Sequence, residues 1–395
     1  MKVLMFSWEY PPHMVGGLGQ HVYDLSRFLM KRGITTHVIT PTVKEYPLYQ
    51  IYEGVHIHRV GSPAKEEDHF KTWIFSFNSE AIRQAVKLNS QVGGFDVIHA
   101  HDWLVAYAGR SVSKIFGIPL VTTIHATEHG RNIGLHNRIQ LEINEIEKNL
   151  ALEAEKVICC SEYMEKEINS LFDVDYDRIA IIPNGVDPTL FVNLPENPRF
   201  NISSNDKVVF FIGRLVPEKG VWQLIDSFPL VIDKVPEAQL YIGGKGPQKL
   251  ELKELAKELG IAERVHFTGF IREHDRNYVY NQAKVAVFPS FYEPFGIVAL
   301  EAMATDTPVI VGNVGGLAEI IDNRVTGVKI DAGNKKDLAN AIIEILTDDE
   351  FALYLRNNAS KVVENVYSWE AIAQDTAKIY KEAIKNQNKK QLGVI

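Results

Sequence analysis

Short apolar runs rich in Val, Ile and Phe recur along this chain, separated by segments with helical spacing, and that rhythm restricts the possible folds more than any other feature. In the first half the runs are KVLMFSW, THVIT, HIHRV, DVIHA, PLVTTIH, KVICCS and IAIIP. Between them lie amphipathic stretches such as GQHVYDLSRFLMKRG, which closes on Lys31, Arg32 and Gly33 as a helix C-terminus should. This alternation predicts βαβ units and parallel sheets, an α/β fold. It breaks off between Asn184 and Asp206, a stretch dense in Pro, Asn, Asp and Ser, and restarts with KVVFFIGRL, AQLYIGG, RVHFTGF, KVAVFPS, TPVIVGN and GVKID. At 395 residues the chain exceeds what one hydrophobic core usually serves. Two doubly wound, Rossmann-like domains are therefore expected, over residues 1–195 and 196–366, followed by a helical stretch, 367–395, with no strand after it.

Composition matters chiefly for what it excludes. A formal charge of −8 argues against a protein whose main task is holding nucleic acid. No stretch reaches the roughly 18 apolar residues of a membrane span, and MKVLMFSW begins a strand pattern without the cleavage site of a secretory signal. No integral membrane role is expected. The two cysteines, Cys159 and Cys160, are adjacent, a poor geometry for a mutual disulfide, and read as small residues of a buried strand in a reducing, cytoplasmic setting.

In open α/β sheets ligands sit beyond the carboxyl ends of the strands, and the unusual residues of this chain gather at those ends. After the first strand comes EYPPHMVGGLGQHV, where Gly16, Gly17 and Gly19 would let a ligand approach the backbone and the following helix offers unpaired N–H groups. A tightly packed turn would have the same glycines, and the pattern is not the G-x-G-x-x-G dinucleotide fingerprint. In FFIGRLVPEKG, Arg214 and Lys219 flank a strand exit; a guanidinium fork and a mobile ammonium suit a diphosphate, although loop cations are commonly just solvated. FYEPFGIVALEAMA places Glu293 before a helix expected from Phe295 onward, and Glu301 about two turns inside it. At about 1.5 Å rise per residue the two carboxylates are on the order of 10 Å apart, too far to share a proton but suited to hydroxyls at two ends of one elongated ligand. The helix terminus between them can take phosphate.

Weaker signals compete. Asp173-Val174-Asp175 imitates a metal-binding D-x-D but follows a helical stretch, as a polar turn would. His99 and His101 alternate onto one side of a strand, yet no third metal ligand is evident nearby, so no metal site is expected. His56 and His58 read as ordinary strand histidines.

With Glu293-x7-Glu301 in EPFGIVALEAMA, GRLVPEKG, PNGVD at 183–187, the glycine loop, DVIHAHDW and TIHATE, nearly the whole chain resembles the retaining GT-B glycosyltransferases, in particular bacterial glycogen and starch synthase-like enzymes. The resemblance implies two Rossmann-like domains facing a central cleft, with the C-terminal helix returning to the N-terminal domain. It implies that Arg214 and Lys219 neutralise the donor diphosphate, assisted by Gly16 and Gly17 and by amides of Phe295, Gly296, Ile297 and Val298. Glu301 would hold the ribose, Glu293 and His125 the transferred sugar, and Asp102, Trp103 and Glu128 the acceptor side. The implied reaction moves glucose from ADP-glucose or UDP-glucose to an α-glucan with retention, without a metal or other cofactor. The segment EHGRNIGLHN departs from the glycogen synthase pattern, which leaves open a small sugar-phosphate or lipid-linked acceptor. A nucleotide-sugar epimerase of the same architecture, which would turn over without an acceptor, is the alternative from another class, and a non-catalytic sugar-nucleotide binder a third.

Overall fold

The computed structural model describes residues 1–14, 16–61, 70–191, 194, 198–203 and 205–393. The chain divides into two compact units, the first made of Met1–Asn184 with Trp369–Ile395 and the second of Gly185–Ser368. The division at Asn184 lies upstream of the expected boundary at 195/196, which falls on residues outside those described.

In the first unit the described strands are β1 (Lys2–Phe6), β2 (Thr35–Pro41), β3 (Tyr49–Tyr52), β4 (Val55–Val60), β5 (Val97–His101), β6 (Leu120–Thr123), β7 (Lys156–Cys159) and β8 (Ile179–Ile181). They form one sheet in the order β3-β4-β2-β1-β5-β6-β7-β8. All pairings are parallel except β3 with β4. The parallel strands are nearly continuous runs of buried residues because helices cover both faces. Strand β3 is the one described strand absent from the sequence expectation. It sits at the edge with Tyr49, Ile51 and Tyr52 exposed, so no buried face marks it, and its only signal is the two-residue turn Glu53-Gly54, both at positive φ.

The second unit holds β9 (Lys207–Ile212), β10 (Ala238–Gly243), β11 (Val265–Gly269), β12 (Ala283–Phe288), β13 (Val309–Gly312) and β14 (Val328–Ile330). These form an all-parallel sheet in the order β11-β10-β9-β12-β13-β14. Both units are thus Rossmann-like, and in each the strand order reverses beside the first strand, between β1 and β5 and between β9 and β12. Those switch points are where the connecting loops diverge and leave room for a ligand.

The C-terminal helix Trp369–Gln391 belongs to the first unit. Its Trp369, Ile372, Ala373, Ala377, Tyr380 and Ala383 lie in one core cluster with Val22, Leu25, Phe28 and Leu29 of the helix Gly17–Lys31. No described helix is long and apolar enough to cross a membrane.

Candidate functional site

On the first unit the expected residues collect at the carboxyl ends of β1, β5 and β6. Gly16 precedes the helix Gly17–Lys31, and its N–H donates to Glu9 Oε2 at 2.9 Å, so a carboxylate oxygen already occupies an amide expected to meet phosphate. A Cβ on Gly16 would meet nothing within 4 Å, whereas one on Gly19 would lie 3.1 Å from Glu9 Cβ. The close approach in this turn is therefore made by Gly19 within the protein.

Asp102 follows β5 with φ at 61° and ψ at 177°, a region that non-glycine residues rarely occupy. Its carboxylate explains the conformation: Oδ1 accepts the backbone N–H of His125 at 2.7 Å and Oδ2 faces the Arg131 guanidinium at 3.4 Å. Burial pushes the Asp102 carboxyl up to about 6, against the pull of Arg131 and of the His125 amide. Trp103 is buried in the following 3-10 turn, Trp103–Val105. His125 lies two residues beyond the end of β6 rather than ending the strand. Burial, reinforced by Arg131, lowers it to about 3, so it is neutral at physiological pH.

The EHGR segment forms a one-turn helix, Glu128–Asn132, capped by the Thr127 hydroxyl, which accepts from Gly130 N at 2.9 Å. The Glu128 side chain accepts from Asn132 Nδ2 at 3.0 Å, while its amide donates to the carboxylate of Glu147. Glu128, expected on the acceptor side, is thus tied to its own helix turn. Seven histidines of this unit form two groups. His37, His56 and His58 stack on the sheet toward β3. His21, His101 and His125 converge at the strand ends, while the His99 ring lies tilted against that of His101 with both ring nitrogens occupied by Tyr380 and Thr123.

On the second unit the groups expected to meet a diphosphate surround the switch point beside β9. Lys219 Nζ donates to Glu293 Oε2 at 2.6 Å, and both side chains are mostly buried, 18% and 12% exposed. Arg214, half exposed, donates to Glu218 Oε1 at 3.2 Å, a weak contact that leaves the guanidinium able to turn to a ligand. The loops are held together by backbone contact. A Cβ on Gly220 would lie 2.1 Å from the Pro289 carbonyl oxygen, and one on Gly244 1.8 Å from that of Gly213.

The helix after β12 begins at Ile297, not Phe295, because Gly296 takes φ of 109° and turns the chain into it. Phe295 is buried in the preceding turn, so Ile297 and Val298 hold the first helical amides. Glu301 lies inside this helix and is nearly buried, with Oε1 accepting from Arg276 at 2.9 Å and Oε2 from Tyr280 at 3.2 Å. Both partners belong to the helix Glu273–Gln282 and were not anticipated from the sequence. Arg276 and Tyr280 hold the carboxylate in one orientation; they also account for a buried glutamate without any ligand.

Residues 15–190 match the Glycosyltransferase Family 4 model and residues 195–362 the model described as Glycosyl transferases group 1. An uncharacterized glycosyltransferase of Methanocaldococcus jannaschii is 37% identical over 97% of this chain and 99% of its own length. Glycogen synthase of Mycobacterium tuberculosis is 32% identical over 99% of this chain and 97% of its own. Among solved structures, sucrose-phosphate synthase from Thermosynechococcus elongatus superposes with a TM-score of 0.83 at 25% identity, covering 98% of this chain and 99% of that one. Both matched families are transferases, which decides against the epimerase and the non-catalytic binder. With its two Rossmann-like units and relatives aligned over almost the whole length, the chain belongs to the GT-B glycosyltransferases and is glycogen synthase-like.

Proposed function

We propose that this enzyme is a retaining, metal-independent hexosyltransferase that moves glucose from ADP-glucose or UDP-glucose to an α-glucan in the cytoplasm. The observation that carries the reading is the Lys219–Glu293 pair at the switch point of the second sheet, with Arg214 beside it and a helix start at Ile297. A nucleotide sugar presents a doubly charged diphosphate next to sugar hydroxyls, and this arrangement sets cations next to a carboxylate. In the reading, Arg214 and Lys219 bind the diphosphate, the Ile297 and Val298 amides assist, and Glu293 holds the sugar. Glu301, fixed by Arg276 and Tyr280, accepts from the ribose hydroxyls. On the first unit, neutral His125 hydrogen-bonds the transferred sugar and Asp102 and Trp103 shape the acceptor side.

The chemistry follows from charge. As the bond from the anomeric carbon to the phosphate oxygen breaks, negative charge grows on the diphosphate, and preorganised cations stabilise it where it develops. The acceptor hydroxyl oxygen forms the new bond to the anomeric carbon and its proton passes to the departing phosphate oxygen. Similarity to a glycogen synthase along the full length supports the glucan acceptor. A second reading, a sugar-phosphate acceptor, is favoured by the superposition on an enzyme named for making sucrose phosphate and by the EHGR helix, where Arg131 offers a cation near Asp102.

The test is release of nucleoside diphosphate from ADP-glucose and from UDP-glucose, with and without glycogen, in wild type, Lys219→Ala and Glu293→Ala. Glycogen-dependent release, reduced about 10²–10³-fold in Lys219→Ala, is expected. Release that responds to a hexose phosphate and not to glycogen would move the assignment to the second reading. Release indifferent to Lys219 and Glu293 would refute the donor site.

A further inference from the structure

Three histidines from separate stretches of the first unit meet at one point: His21 from the helix Gly17–Lys31, His101 at the end of β5, and His125 beyond β6. Each places one ring nitrogen within 4.8 Å of the other two. His101 Nδ1 and His125 Nε2 are 3.3 Å apart. That is long for a hydrogen bond to nitrogen. It is close to the roughly 3.3–3.4 Å that separates two nitrogens on one tetrahedral zinc with Zn–N of about 2.0–2.1 Å.

The third member is set up for the same task. His21 Nδ1 lies 2.5 Å from Asn184 Oδ1, and since an amide oxygen only accepts, the His21 proton is on Nδ1 and Nε2 has a bare lone pair. His21 Nε2 is buried with no hydrogen-bond partner among the described residues. An imidazole that donates one N–H to an oxygen and offers its other nitrogen is what metal-ligating histidines present. His99, the neighbour that the H-x-H spacing suggested as a co-ligand, is excluded because Tyr380 and Thr123 occupy both its nitrogens. The nearby positive charge of Arg131 is met by the Asp102 carboxylate.

We propose that His21, His101 and His125 form a binding site for one divalent cation of the imidazole-preferring class, zinc, cobalt or nickel, with a water completing the coordination. The site stands on geometry alone. Its consequence rests on the transfer reading: a cation held by His125 removes that side chain from the donor sugar, so the site acts as a reversible brake.

The experiment is a cobalt titration of the full chain after stripping with EDTA. Tetrahedral visible bands that saturate at one cobalt per chain and disappear on adding zinc are expected, with the affinity at least about 10-fold weaker in His21→Gln and in His101→Gln. Cooperative melts of both variants in EDTA serve as the folding control. X-ray absorption of the wild-type zinc form, which needs no variant, should count three imidazole nitrogens at about 2.0 Å. No saturable band, a band unchanged in both variants, or fewer than three imidazoles overturns the site. Zinc at saturation should suppress nucleoside diphosphate release, and EDTA should restore it. Cobalt binding with undiminished release refutes the brake, whereas release absent from the stripped enzyme counts against the transfer reading instead.

Discussion

Glu147 accepts the Glu128 amide N–H on both oxygens, at 3.1 and 3.0 Å, while only 1% exposed. Burial pushes its carboxyl up to about 8 from a usual 4.5, against the opposing pull of Arg131 and of that amide. A folded-state value raised above the unfolded one means that the unfolded chain loses this proton first. Stability from this group is therefore fully present below about pH 4.5, declines as pH rises toward 8, and is flat beyond. Glu147→Gln keeps an acceptor for Glu128 and abolishes the titration. Its melting temperature should fall less than wild type between pH 5 and 8, by about 2–4 °C for each kcal/mol recovered. Parallel curves for the two proteins would show that Glu147 does not titrate in this window. Residues of this kind explain what the sequence could and could not disclose. Arg214, Lys219 and Glu293 are legible because each lies at a strand exit, where charge is unusual. Glu147, Arg276 and Tyr280 are not, because their partners lie 19, 25 and 21 residues away along the chain and only packing joins them. The histidine cluster is hidden for the same reason, since His21 and His101 belong to different elements.

Turns between elements show where the glycines are needed for the protein's own backbone and where they are not. Gly244 has φ of 124°, and its Cβ would fall 1.8 Å from the Gly213 carbonyl oxygen. Gly244→Ala must push apart the exits of β9 and β10, and a destabilisation of about 1–3 kcal/mol or more is expected in a chemical or thermal melt. Gly16 has an extended φ of −155° and empty space around it. Gly16→Ala should melt like wild type, so any loss of activity in that variant would come from crowding a ligand. If Gly16→Ala destabilises as much as Gly244→Ala, the space around Gly16 is not open. Element order was readable because the described strands other than β3 carry short apolar runs with Val, Ile, Leu or Phe, most of them buried. The exception, β3, buries almost nothing and is defined by its antiparallel pairing with β4 across Glu53-Gly54. Helix starts were less readable than helices: Gly296 postpones the helix of Glu301 by two residues, a choice set by how Gly296 fits against Leu317, whose Cδ2 would be 2.4 Å from an added Cβ.

At the scale of the molecule, the first unit is discontinuous in sequence, and the question is whether its core can exist without the returning tail. Trp369, 1% exposed, and Tyr380, fully buried, are among the largest side chains of the cluster that contains Val22, Leu25, Phe28 and Leu29. Burial of a large apolar side chain contributes about 1.5–3 kcal/mol, and the tail supplies several such groups. A domain's whole stability is about 5–15 kcal/mol, so the tail's share is comparable with the total. Its loss also strips a hydrogen-bond partner, since the Tyr380 hydroxyl lies 2.7 Å from His99 Nδ1, directly behind the histidine cluster. Truncation after Ser368 should therefore unfold Met1–Asn184 while Gly185–Ser368, a compact unit of its own, remains folded. Hydrogen exchange resolves the two: peptides from residues 1–184 should lose protection and peptides from 207–347 should keep it. Trp369→Ala, at a cost of about 3–5 kcal/mol, should give the same pattern in weaker form. Uniform protection in the truncated chain would mean that the first sheet is self-sufficient and that the tail is an accessory, whereas simultaneous loss in both segments would mean that the two units fold as one cooperative body.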